Sequence, residues 1–121
     1  AKMIKFLNAQ VGKPYVWNCK TGKPGWDCSG LAKAALKEAE VEVPDGSYNQ
    51  VKCGREIERE MGAAGCLVFK RWPWGTVHHV AIVGANGTLY EARGKKWGVI
   101  HRSYNWREWS DCRKFDELYT V

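Results

Sequence analysis

The chain predicts an α+β domain in which helices come first and an antiparallel sheet follows. Three observations carry this. Apolar residues recur at helical spacing in the first third, short apolar runs bounded by glycine dominate the second half, and Asn86-Gly87 between two such runs is a strong hairpin signal. A length of 121 residues with 45% hydrophobic content suits one domain, residues 1–121, with a single modest core, and argues against disorder.

Met3, Ile4, Leu7 and Val11 predict a short amphipathic helix that stops at Gly12. Lys13 to Trp17 is expected to be extended, because Pro14 biases its predecessor away from helix. A Gly/Pro-rich loop, Lys20 to Gly25, then runs into Trp26-Asp27-Cys28-Ser29-Gly30. Leu31, Ala32, Ala35, Leu36 and Ala39 follow at helical spacing, with Asp27 placed as an N-cap. Val43-Pro44-Asp45-Gly46 reads as a turn, and Ser47 with Gln50 reads as a capping box opening a short helix toward Cys53-Gly54. Arg55 to Met61 is expected to be a helical or loop connection. Strands are predicted at Cys66–Phe69, Val77–Val83, Thr88–Ala92, Gly98–Ser103 and Phe115–Val121.

Nineteen basic residues against 13 acidic ones give a net charge of +6, which favours an anionic partner such as nucleic acid, an acidic envelope polymer or a membrane surface. The cations are scattered, and no basic stripe or RNA-binding aromatic motif argues for nucleic acid. No apolar run is long enough to span a bilayer and no signal peptide is evident, so membrane insertion is not expected; the abrupt start at Ala1 is that of a mature form or an excised domain. The five cysteines (19, 28, 53, 66 and 112) form no CxxC pair, so no metal site or cofactor is expected. An odd count suits up to two disulfides plus one free thiol, and points to an oxidising, extracytoplasmic setting. With Cys28 free, the other four pair in any of three ways, among which the sequence does not choose.

Cys28 falls at the first turn of the predicted helix, where unpaired N–H groups and the positive end of the helix dipole favour a thiolate. A nucleophilic cysteine needs a base, and His78 and His79 lie in the central strand candidate. Alternation puts them on opposite faces, so only one is expected to face the helix carrying Cys28. Glu91, on the partner strand, is the candidate for orienting the imidazole. A two-residue Asn86-Gly87 loop would pair Ile82 with Glu91 and set Glu91 on the face of His78. A three-residue loop, Ala85-Asn86-Gly87, would pair Ala81 with Glu91 and set it diagonal to His79. The residues alone leave both open.

With these pieces in place, nearly the whole chain resembles the NlpC/P60 family of cysteine peptidases. The resemblance runs through Gly12-Lys13-Pro14-Tyr15-Val16-Trp17, Trp26-Asp27-Cys28-Ser29-Gly30-Leu31, Val43-Pro44, Ser47 to Gln50, Gly65-Cys66-Leu67-Val68-Phe69, His79-Val80-Ala81-Ile82-Val83-Gly84 and Asn86-Gly87, in that order. It implies a papain-like fold with N-terminal helices packed on a central sheet. It also implies Cys28 as nucleophile, His79 rather than His78 as base, and Glu91 at a third position where the family most often has histidine. Tyr15, Asp27 and Ser29 match positions that line the substrate site in the family. Cys66 stands where an aspartate is usual, a departure that suggests a disulfide of this lineage. The implied activity is that of a secreted or otherwise extracytoplasmic, monomeric peptidoglycan hydrolase acting on stem peptides. It would cut typically between D-glutamate, through its γ-carboxyl, and a diamino acid (meso-diaminopimelate or lysine). Two other function classes compete: a wall-binding module without chemistry, and a thiol acyltransferase or amidase. Permuted acyltransferases place histidine before cysteine, the reverse of the order here.

Overall fold

A computed structural model describes residues 2–119 of the chain. Helix α1 (Lys2–Gln10) buries Met3, Leu7 and Gln10. It ends as expected at Gly12, whose φ of 94° suits a residue without Cβ, and Gly12 N–H then donates to Val99 O at 2.9 Å. Val11, assigned to the apolar face from its spacing, is exposed, because the helix has already ended before it. Helix α2 (Cys28–Glu38) packs on α1 through Leu31, Ala32, Ala35 and Leu36. Helix α3 (Ser47–Gln50) is a single turn.

Six strands follow: β1 (Arg55–Glu56), β2 (Leu67–Arg71), β3 (Val77–Val83), β4 (Thr88–Ala92), β5 (Val99–Ser103) and β6 (Asp111–Lys114). They form one antiparallel sheet in the order β1-β6-β2-β3-β4-β5. The α+β expectation holds, with β3 central as predicted. One sheet face packs on the helices, burying Leu67, Phe69, Val80, Ile82, Tyr90 and Ala92 with the α1 and α2 side chains. The other face carries a smaller cluster of Cys66, Val68, Ala81, Val83, Leu89, Trp109 and Cys112. Successive β3 residues alternate between the two clusters, which is why a period of two was readable there.

Four expectations require correction. Ser47 caps nothing: Gly46 is the N-cap of α3 without a side-chain bond, and the Gln50 amide instead donates to Ser29 O (3.0 Å) and Pro44 O (2.9 Å). The amide so ties the first turn of α2 to the loop before α3 and gives two backbone carbonyls a partner. Arg55–Met61 contains a two-residue edge strand and a 3₁₀ turn (Arg59–Met61). The last predicted strand is displaced: Asp111–Lys114 pairs with β1 and β2, whereas Asp116–Tyr119 is a 3₁₀ turn, and Thr120 and Val121 lie outside the described residues. Finally, all five cysteines are free thiols where up to two disulfides were expected.

Candidate active site

Local backbone pairing brings the site together. Val16 N–H donates to Trp26 O, Trp26 N–H to Pro14 O and Asp27 N–H to Cys19 O, so the Lys13–Trp17 segment lies along the approach to α2. Tyr15 bridges Trp26 in parallel fashion. Trp26 itself is buried, donating from Nε1 to Gln10 Oε1 at 3.0 Å. Asp27 is the predicted N-cap: its Oδ1 accepts from Gly30 N–H at 2.6 Å. A Cβ on Gly30 would lie 2.8 Å from that oxygen and 3.0 Å from Cys19 O, so only glycine lets the cap close. Cys28 therefore starts the helix, at the positive end of its dipole and beside its unpaired N–H groups.

The hairpin resolves the choice left open at Glu91. Ile82 pairs with Tyr90 and Val83 with Leu89, and Gly84 N–H donates to Thr88 O at 2.8 Å. The loop is thus Ala85-Asn86-Gly87, with Asn86 and Gly87 both at positive φ (56° and 71°). Continuing this register sets Ala81 opposite Glu91 and Glu91 diagonal to His79. The contact follows: His79 Nε2 lies 2.8 Å from Glu91 Oε2. That leaves His79 Nδ1 as the ring nitrogen available toward Cys28.

His78 departs from the alternation. Lys70 pairs with His79 but Arg71 with Val77, so His78 is the extra residue of a β-bulge. The expectation that only one histidine could approach the α2 end fails for this reason. His78 lines the same cavity as Cys28, while His79 interacts with Cys28 from beside it. Their surroundings differ. Burial, then the positive charges of His79 and Lys70, lower the His78 pKa. Burial also works to lower that of His79, but hydrogen bonds to Cys28 and Glu91 and the charges of both overcome it, holding His79 up at about 9. His79 is thereby held as imidazolium at neutral pH.

Glu91 is completely buried and ionised. Burial pushes its carboxyl up, yet hydrogen bonds and charge from His79 and Arg102 hold it below the ordinary carboxylate value. Arg102 Nε donates to Glu91 Oε1 at 2.6 Å, and its two terminal nitrogens reach Glu108 at 3.0 and 3.1 Å. His79, Glu91, Arg102 and Glu108 form a chain of alternating charge, so no member is buried unpaired. Trp109, fully buried, stacks on His79 with centroids 5.8 Å apart.

Tyr15, Asp27 and Ser29 line a cavity of about 590 Å³ with Cys28, as does Lys20. Burial, then the charges of Cys28 and Asp27, raise the Tyr15 pKa, so its phenol stays a donor beside the sulfur. Lys20 Nζ bonds Asp27 Oδ2 at 2.7 Å and Ser29 Oγ at 3.5 Å. The sequence hid Lys20, Arg102 and Trp109. Nothing in a Gly/Pro-rich loop marks one lysine from its neighbours. Arg102 becomes readable only once the β4–β5 register, Leu89 with Arg102 and Glu91 with Ile100, is known.

Known proteins resemble this chain along most of its length. The NlpC/P60 family model matches residues 12–114, which includes every residue of the site. The chain belongs to the NlpC/P60 family. It is 28% identical over 101 residues to the bifunctional muramidase/DL-endopeptidase CwlT of Bacillus subtilis (80% of this chain, 30% of that protein). It is 33% identical over 90 residues to the murein DD-endopeptidase MepH of Escherichia coli (71% of this chain, 33% of that protein). A crystal structure of an NlpC/P60 family protein from Bacillus cereus superposes with a TM-score of 0.85 at 26% identity, covering 94% of this chain and 39% of that one. The chain thus spans about a third of the length of these curated relatives. The match extends along the sheet as well as the motifs, and the papain-like NlpC/P60 architecture is that of the present fold.

Proposed function

We propose that this domain is a cysteine endopeptidase of peptidoglycan stem peptides, working outside the cytoplasm and cutting the γ-D-glutamyl–diamino acid bond. The observation that carries the reading is His79, half-buried between the Glu91 carboxylate and the Cys28 sulfur and held protonated there. In this mechanism the Cys28 thiolate attacks the scissile carbonyl and His79 protonates the leaving amine. A thioester remains. Neutral His79 then takes a proton from the attacking water, which restores the imidazolium, and the tetrahedral intermediate collapses to the carboxylic acid as its C–S bond breaks and the Cys28 thiolate leaves. The backbone N–H of Cys28 at the helix start is the natural donor to the tetrahedral oxyanion. Glu91 orients the ring through Nε2 and stabilises its charge, the part a histidine more often plays in this family.

The cavity residues divide the binding of the stem. The Tyr15 phenol donates beside the reacting carbon, Asp27 and Ser29 hold the peptide, and Lys20 meets one of its carboxylates. The γ-linked D-glutamate leaves its α-carboxylate free next to the scissile bond, which gives an ammonium in this position a function.

Digestion of purified muropeptides followed by mass spectrometry tests the reading. Wild type is expected to release new stem-peptide fragments and Cys28→Ala none. Equal cleavage by both would remove Cys28 as nucleophile. Absence of cleavage with an alkylatable Cys28 would favour a wall-binding module or an acyltransferase.

A further inference from the structure

One feature of the molecule lies outside the chemistry above. The turn between β2 and β3 reads Trp72-Pro73-Trp74-Gly75-Thr76, and both tryptophans stand in solvent, Trp72 at 45% and Trp74 at 74% exposure. Large aromatic rings left in water together, away from the core, mark a binding surface more often than an accident of folding. Here they are also ordered. Trp74 stacks on Trp72 with centroids 5.6 Å apart and planes 24° apart, and Trp72 stacks on His78 at 3.6 Å and 13°. The three rings form one row, and its inner member, His78, is a wall of the Cys28 cavity.

The turn is held rigid. Trp72 N–H donates to Thr76 O and Gly75 N–H to Trp72 O. Arg71 clamps it from below, bonding Asp111 through two nitrogens (2.7 and 3.1 Å) and Gly75 O through a third (2.6 Å). A preorganised ring surface loses little freedom on binding. The chemistry of the turn then selects the ligand. Residues 72–76 carry no charge, and the nearest guanidinium is already engaged, so the phosphate contacts that dominate nucleic-acid affinity are missing. The row projects from a hairpin tip and forms no groove for an apolar helix. Flat rings facing water suit a ligand with a flat C–H face and a hydroxylated edge, which describes a pyranose.

We propose that Trp72 and Trp74 form a stacking platform for the amino-sugar rings of the glycan strand, which carries the stem peptide into the Cys28 cavity. This rests on the peptidoglycan reading above, because it takes its ligand from the same polymer. The platform would anchor the strand while the row of rings leads from the sugar toward the site of cleavage.

The test separates the two readings by using sugar without peptide. The Cys28→Ala protein is titrated calorimetrically with a β-1,4-linked N-acetylglucosamine hexamer, which carries no scissile bond. Saturable binding is expected, weakened about tenfold or more in a Trp74→Ala background, in line with the loss of one stacking ring. Trp97→Ala, which removes an exposed tryptophan outside this row, serves as the control and should bind as the parent does. In the Cys28-intact enzyme, Trp74→Ala is expected to lower kcat/KM on intact sacculi about tenfold and to leave hydrolysis of free stem peptides unchanged. Because Trp74 is so exposed, its removal should not disturb folding, which thermal melting checks. No hexamer binding by the parent, or equal binding by parent and Trp74→Ala, would overturn the platform. So would binding of an oligothymidylate in place of the hexamer with the same dependence on Trp74. Hexamer binding without cleavage of any muropeptide would leave the platform standing and remove the peptidase.

Discussion

The two faces of the sheet solve different problems. The helix-covered face is almost wholly apolar: Leu67, Phe69, Val80, Ile82, Tyr90 and Ala92 meet Leu7, Leu31, Ala35 and Leu36. Among the described residues, the opposite face has fewer buried apolar residues, no long helix over it, and a chain of charges that runs from His79 and the buried Glu91 out to the exposed Glu108. The first holds the fold together by area removed from water. The second spends part of its burial on ionised groups that stabilise only while each keeps its partner. Residue 28 joins the two, because its helix packs on one face while its sulfur interacts with a histidine that stacks on Trp109 of the other. If this division is right, substitutions on the two faces should separate activity from stability.

The largest separation is expected between two adjacent residues. His79→Ala should abolish turnover in a muropeptide digest, whereas His78→Ala should keep most of it, since His78 stacks on Trp72 and, among the described residues, has no carboxylate hydrogen-bonded to it. The reverse result would assign the base to the bulged residue. Next comes Glu91→Gln, which preserves shape but removes the charge facing His79 and Arg102. We expect kcat to fall about 100-fold, within the range of acid–base contributions, with stability lowered by about 2 kcal/mol through the half-buried Arg102 left with Glu108 as its one remaining counter-charge. An unchanged rate would take Glu91 out of the mechanism. On the apolar face, Ile82→Ala should behave oppositely. It should cost about 2–5 kcal/mol of stability by denaturant unfolding, while kcat at a temperature well below the melting point stays close to wild type.

The same division explains what could be read from the chain. α1, α2 and β3 announce themselves because one side of each is largely apolar, β4 and β5 because glycines (Asn86-Gly87 and Gly98) precede their apolar residues, and the Asp27 cap lies in plain view before such a run. β6 does not: Asp111, Arg113 and Lys114 surround its single buried side chain, Cys112, and its place is set by pairing with β2, which no local pattern reports. In the site, Cys28 is legible from the helix start. His79 and Glu91 are legible as candidates only, because their meeting depends on one residue of loop length, which the family resemblance favoured and the hairpin register bears out. Lys20 and Arg102 stayed hidden because long cationic side chains acquire meaning from tertiary partners and carry no periodic signature.

The smallest effect expected, and the most direct view of the second face, is in its titration. His79 has a folded pKa of about 9, above its ordinary 6.5, so its contribution to stability is fully present below 6.5 and is lost as pH rises through about 9. Glu91 is shifted the other way, so its contribution is present above its ordinary 4.5 and is lost as pH falls through its lower folded value. Melting temperature should therefore hold a plateau from about pH 5 to about pH 6.5 and fall progressively from there through about pH 9. Turnover should fall there too, as His79 loses the proton it gives to the leaving amine. Cys28→Ala isolates the sulfur's share. Burial still pulls His79 down while only Glu91 opposes it, so the His79 titration followed by NMR should move to lower pH and the alkaline limb of the melting profile should move with it. If His79 titrates at the same pH with and without Cys28, the two side chains are not coupled, and the link between the faces is broken at the residue where it was drawn.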